Sequence, residues 1–368
     1  MQSRQEIQLL LCCARTVLDA QHAAQIRRLV RSNLDWTYLL QTALQHRVTP
    51  LLYWNLHATC PKAVPVHVLD QLQRHFHANT RYNLFLVREL LALLSMLEEH
   101  GIRAIPYKGP VLAVAAYGNI ALRQFGDLDI LVREQDAVRA KELFLARGYR
   151  LQYQASAAYE RLFRRFRQTY DFMREDGQVF VELHWNVISW PTFFNPDVAF
   201  LWECPAVVCL ADTPVRRLAP EDALPVLCVH GAKHYWERLG WICDVAELVR
   251  VHSGLQWNRV LQQASRIGGV RPLYLGLLLA RSLLGAAVPE DVLRQVQGDR
   301  IVAMLAAHIQ TGLFARADGL LRSLEQHVSY LLLEEGLRDK GRCSVYLLHR
   351  LIGRLMYYAI GPHVWRHD

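Results

Sequence analysis

The stretch Phe125-Gly126-Asp127-Leu128-Asp129-Ile130-Leu131-Val132 decides how the rest of this chain is read. Side chains alternate faces along an extended strand, so Asp127 and Asp129 share one face while Leu128, Ile130 and Val132 face or flank a core. Two carboxylates held side by side repel, and a pKa rises unless a cation sits between them. A divalent metal is the natural occupant. The plainer alternative is a pair of acids at a strand-end turn.

Upstream, Ala104-Ile105-Pro106-Tyr107-Lys108-Gly109-Pro110 reads as a short strand ending in a glycine turn, and Val111 to Tyr117 continues as a helix. Free N–H groups and the helix dipole at such a turn favour a phosphate, and Lys108 would add its charge. Downstream, Gln178 to Trp185 alternates, with Glu182 and His184 on one face and Val181 and Leu183 on the other. Thr169 to Arg174 precedes it across Glu175-Asp176-Gly177, a hairpin signal. Glu182 is thus a candidate third carboxylate. His184 either orients Glu182 or the substrate, or is a packed histidine.

After Pro220 the period is helical. His230, His234, Glu237, Trp241 and Asp244 fall on one face, with Leu224, Cys228, Tyr235, Leu239, Ile242 and Val249 opposite. Gly240 is a possible break between two helices. His230 and His234 have the i, i+4 spacing of a metal pair, but no third ligand is evident. Stacking on a base, positioning an acceptor, and core packing stay open for this face.

The chain has 368 residues, enough for two or three domains. Its hydrophobic content of 52% excludes disorder. The net charge of +8 and pI near 9.1 suit a polyanionic ligand such as a nucleotide or RNA. Arg161, Arg164, Arg165 and Arg167 form the densest basic cluster, either a solvated helix face or an edge that meets phosphate. Eight cysteines without CxxC spacing suggest neither zinc nor disulfides, and read as buried thiols. The start lacks a leader pattern. Val270 to Pro289 is apolar but interrupted by Arg271 and Arg281, so a buried helix is expected rather than a membrane span. A cytoplasmic protein with no membrane partner is expected.

These signals predict an α+β fold. A mixed β-sheet core spans 101–190, with a crossover helix over Gln135 to Arg147 leading to a strand at Tyr149 to Tyr153. A helical N-terminal region covers 1–100, a linker or cover segment 191–219, and a helical C-terminal substrate domain 220–368.

A glycine turn, an Asp-x-Asp strand and a third acid on a neighbouring strand together resemble the DNA polymerase beta-like nucleotidyltransferase superfamily. Tyr107-Lys108-Gly109, Tyr117, Arg123, Gly126-Asp127-Leu128-Asp129, Gly148-Tyr149, Glu182-Leu183-His184-Trp185 and His230-Gly231-Ala232-Lys233-His234 are more closely similar to its bacterial uncharacterised nucleotidyltransferase family. The resemblance implies a nucleotidyltransferase-type sheet and a metal-dependent enzyme. Such an enzyme moves an NMP group from an NTP, ATP by default, to a hydroxyl-bearing small molecule or peptide, with RNA less favoured, and releases pyrophosphate. Asp127, Asp129 and Glu182 are then the catalytic residues and hold two Mg2+, or Mn2+. Lys108, Gly109 and Arg123 bind the nucleotide, and His184, His230, Lys233 and His234 face the substrate. An ordinary surface ion pair is the other possibility for Arg123. Pro110 stands where the superfamily has Ser or Gly, and it removes one N–H from the phosphate turn. Two other outcomes remain: a kinase-like phosphotransferase using the same site, and a catalytically silent nucleotide- or RNA-binding module.

Overall fold

The structure, a computed structural model, describes residues 4–152, 168–187, 198–315, 328–329 and 331–333. The arginine cluster at 161–167 and Cys343 lie outside them. Alternation along the Asp-x-Asp segment builds β2 (Asp127–Val132), which sits beside β1 (Ala104–Pro106) and β5 (Phe180–His184). With β3 (Tyr149–Leu151) and β4 (Thr169–Arg174) they form a five-stranded sheet in the order β1-β2-β5-β4-β3. β2 and β5 run parallel and the other neighbours antiparallel, so the sheet is mixed. Glu175-Asp176-Gly177 closes the β4–β5 hairpin, with Gly177 at a φ of 71° that suits glycine. A helix, α7 (Ala137–Ala146), leads from β2 to β3, which lies at the far edge beyond β5 and β4.

Period-two patterning gives the sheet two unlike faces. Leu128, Ile130, Val132, Phe172, Val181 and Leu183 point to one side and pack with Leu86, Leu90, Leu93 and Leu97 of α5 (Val66–Glu99) and Phe144 of α7. Each fully buried leucine there contributes on the order of 2 kcal/mol. The other face carries Asp127, Asp129, Glu182 and His184.

Over that second face lies one helical core drawn from both ends of the chain. It joins α1 (Gln5–Cys13), α2 (Ala20–Val30), α3 (Trp36–Gln45) and α4 (Thr49–Thr59) to α8 (Pro220–Lys233), α9 (Leu239–Val251), α10 (Trp257–Arg266), α11 (Val270–Leu284), α12 (Glu290–Gly298) and α13 (Arg300–Gly312). α6 (Gly109–Tyr117) is apolar all round because it is buried between the two cores: Val111 and Ala113 face the sheet core, Leu112 and Ala116 the helical one. Among the described residues, no helix is long and apolar enough to cross a membrane.

Three local details differ from the sequence pattern. The stripe after Pro220 breaks at His234–Arg238, ahead of Gly240. There Tyr235 and Trp236 take φ values of 55° and 49°, and the fully buried Trp236 ring fills space where a Cβ on Gly231 would lie 2.5 Å away. Packing of one large ring thus ends the helix where local propensity would continue it. Segment 191–219 carries a hairpin, β6 (Ala206–Leu210) and β7 (Thr213–Arg217), turned through Ala211 and Asp212 at positive φ. Its Leu210 and Val215 join the sheet core. Finally, Cys204 and Cys209 are exposed, while Cys12, Cys13, Cys228 and Cys243 are buried free thiols.

Candidate active site

Register assembles the acidic wall. Asp129 on β2 lies directly opposite Glu182 on β5, and Leu131 opposite His184, so Asp129, Glu182 and His184 emerge side by side. Each offers a ligand atom within 4.8 Å of the others. His184 Nε2 is 3.2 Å from both Asp129 Oδ1 and Glu182 Oε2. Lys108, on the turn after β1, reaches under the strand to place Nζ 2.6 Å from Asp129 Oδ1. Gly109 follows at a φ of 50°, where a Cβ would stand 3.1 Å from the Asp127 carbonyl oxygen. Only glycine allows the turn to come this close to the acid-bearing strand.

Charge balance explains the ionisation of the site. Burial raises the Asp127 carboxyl above the usual range, and the neighbouring Asp129 raises it further. Burial also works against an ionised Glu182, but the hydrogen bond and charge of His184, with Lys108 and Lys233, hold it below the usual carboxylate range. For His184, burial opposes the proton while hydrogen bonds to Asp129 and Glu182 outweigh it, so its value is raised. Lys108 is raised in the same way, chiefly by Asp129 against burial. Lys108 therefore acts as the acids' own counter-ion, and His184 shares that role while protonated, a proton it would give up to a metal.

The donor set fits a divalent metal. Asp129 Oδ2 and His184 Nδ1 are buried without a hydrogen-bond partner, and an orphaned carboxylate oxygen inside an acidic cluster calls for a cation. Two carboxylates suit Mg2+ or Mn2+, and an imidazole nitrogen suits Mn2+ better than Mg2+.

Facing the acids across a cavity of ≈ 250 Å³ stands a helical wall from α8 and α9. His230, His234 and Trp241 form an aromatic cluster with ring centroids 4.8, 5.0 and 5.6 Å apart. Burial, then the charge of Lys108, 3.5 Å from its Nδ1, holds His230 well below its ordinary value. Burial and Lys233 push His234 down to about 3. Both rings are neutral near pH 7 and line the cavity as planar groups of the kind that pack against a planar ligand.

The structure brings nine of the expected residues, Lys108, Arg123, Asp127, Asp129, Glu182, His184, His230, Lys233 and His234, onto this one cavity. Gly109 lies behind it as the turn. Arg123 does not point a free fork at the ligand. Its Nε and Nη2 bind Asp244 of α9 at 2.7 and 2.8 Å, and Tyr117 donates to the same carboxylate at 2.6 Å. Only Nη1 is left without a partner. The five polar residues His230, His234, Glu237, Trp241 and Asp244 still line the cavity although they belong to two helices and the loop between them. Arg47 and Arg238 also line it and carry no motif that would single them out in the sequence.

A mixed sheet bearing paired acids under a helical wall is an α+β fold of nucleotidyltransferase type. The chain belongs to the family described as uncharacterised nucleotidyltransferase, whose model matches residues 32–285, more than half of its length. No curated protein matches it significantly.

Proposed function

We propose that this protein is a metal-dependent nucleotidyltransferase that moves an NMP group from an NTP to a hydroxyl-bearing small-molecule or peptide acceptor and releases pyrophosphate. The juxtaposition of Asp129, Glu182 and His184 across two parallel strands, with an orphaned Asp129 oxygen, carries the proposal. Asp127, Asp129 and Glu182, with His184, would hold the metal. Bound there, Mg2+ or Mn2+ would neutralise charge developing on the attacking and leaving oxygens. In the reaction, the acceptor oxygen bonds to the α-phosphorus, the bond from that phosphorus to the bridging oxygen breaks, and pyrophosphate leaves. The hydroxyl proton passes to a site carboxylate, and Glu182, whose side chain is 31% exposed, is open to the cavity to take it. Lys108 and the Gly109 turn face the phosphates, with Arg123 adding charge from behind. The neutral rings of His230 and His234, beside Lys233, position the base or the acceptor, and the region from Pro220 onward selects the acceptor.

Incubation of the protein with cell extract, Mg2+ or Mn2+ and each labelled NTP tests the assignment by mass spectrometry. A mass gain of one nucleoside monophosphate on an acceptor, with pyrophosphate release, is the expected outcome. Nucleoside diphosphate as the product would instead mean phosphoryl transfer.

A further inference from the structure

We propose that Arg47 and Arg238 form an anion subsite at the mouth of the cleft that takes a terminal phosphoryl group, presented by the tail of the NTP or by a phosphorylated acceptor. This assignment rests on the nucleotidyltransferase reading of the cleft. The backbone builds the pair. His46, at the end of α3, caps α9: its carbonyl accepts the Gly240 N–H at 3.0 Å and its Nδ1 accepts the Leu239 N–H at 3.1 Å. Gly240 permits this approach, since a Cβ there would lie 3.1 Å from the His46 oxygen and 3.6 Å from Arg47 Cβ. The cap joins residues 193 positions apart and sets Arg47 next to Arg238.

The pair sets two like charges on one cavity wall. Arg47 takes a φ of 55° just past the end of α3, where its N–H bonds back to Leu44 and that of Val48 to Ala43, so the helix terminus fixes where its side chain starts. Burial, then the charges of Arg238 and Arg123, pull Arg47 below its ordinary value, and Asp127 offsets them only in part. Among the described residues the Arg47 guanidinium has no hydrogen bond or ion pair, and Arg238 lies over the Trp241 ring at 5.2 Å with no carboxylate partner. Glu237 lines the same cavity but pairs with neither. Two other cations of the cleft are already committed, Lys108 to Asp129 and Arg123 to Asp244. Pro110 removes an N–H from the first turn of α6, so side chains must supply donors that the turn lacks. Guanidinium groups grip phosphate through two parallel hydrogen bonds.

Calorimetric titration of the full chain with tripolyphosphate, ATP, AMP and inorganic phosphate, without turnover, tests the subsite. Arg47→Gly removes the charge and suits a positive φ, so it should fold at least as well as the parent, and Arg47→Lys keeps the charge. If the NTP tail is the source, R47G weakens tripolyphosphate and ATP about tenfold or more, leaves AMP unchanged, and R47K recovers part of the loss. If a phosphorylated acceptor is the source, ATP binding is unchanged. Inorganic phosphate then binds R47G saturated with a non-hydrolysable ATP analogue about tenfold more weakly than the parent. No binding of these anions by the parent, or equal affinities in R47G, overturns the subsite. Because no turnover is measured, the subsite can fail while Asp129→Asn still abolishes pyrophosphate release, and can stand where that release is never seen.

Discussion

The two walls of the cleft are built by different rules. The sheet wall takes its order from strand alternation and register: Asp127 and Asp129 share a face, and parallel pairing puts Glu182 and His184 beside them. The helical wall takes its order from distant partners: His46 caps α9, and Asp244 locks Arg123 and Tyr117. The acids and their counter-ions Lys108 and His184 therefore share the sheet wall, whereas the helical wall brings an acid of its own, Asp244, to Arg123 from 121 positions away. Damage to the first wall should stop chemistry and spare the fold, whereas damage to the second should loosen the assembly.

The sharpest way to break this contrast is at the acids. Asp127→Asn and Asp129→Asn should each lower pyrophosphate release by at least about a thousandfold. Asp127→Asn should keep a melting temperature near the parent's, while Asp129→Asn also strips buried Lys108 of its ion-pair partner and should lose some stability. Full activity in either would reject the assignment, and a large loss of stability in Asp127→Asn would erase the difference between the walls. On the helical side, Asp244→Ala leaves the Arg123 guanidinium buried and unpaired, and urea unfolding should show a loss of about 3–5 kcal/mol. Adding Arg123→Met should recover part of that loss; strict additivity would mean the pair is not coupled.

A smaller effect probes backbone crowding in the sheet wall. Gly109→Ala, at a φ of 50° and 3.1 Å from the Asp127 oxygen, should cost about 1–2 kcal/mol and lower activity with it. Unchanged activity would show that the turn does not hold the acids in place. The smallest effect is on pH. His234 has a folded value of about 3 against about 6.5 unfolded, so between these the unfolded chain binds more protons. Its contribution is complete above about pH 6.5 and is lost as pH falls, on the order of 1–2 kcal/mol by pH 5. Melting temperatures at pH 7 and 5 should therefore differ less in His234→Gln than in the parent, and an identical difference would remove His234 as the source.

What the sequence made legible follows the same division. Alternation in Asp127 to Val132 and in Gln178 to Trp185, and the Glu175-Asp176-Gly177 turn, are short-range patterns that specify strands and faces, so the acid set could be read from them. The parallel pairing of β2 with β5, and the displacement of β3 to the far edge, depend on non-local contacts that no spacing encodes. The end of α8 was hidden because it is set by Trp236 packing on Gly231 and Gly276. Arg123 read as a phosphate ligand because its partner Asp244 lies 121 residues away. Arg47 carries no sequence signal of its own, and the His46 cap gives it its place in the cleft.

Asp129 and His184 are 55 positions apart, on strands that run in the same direction. During synthesis the paired acids leave the ribosome well before the imidazole and third carboxylate that complete the cluster. The cluster is accordingly incomplete until the sheet closes, and α8 arrives later still. Translation order thus finishes the acidic wall before the α8–α9 wall that faces it has been made.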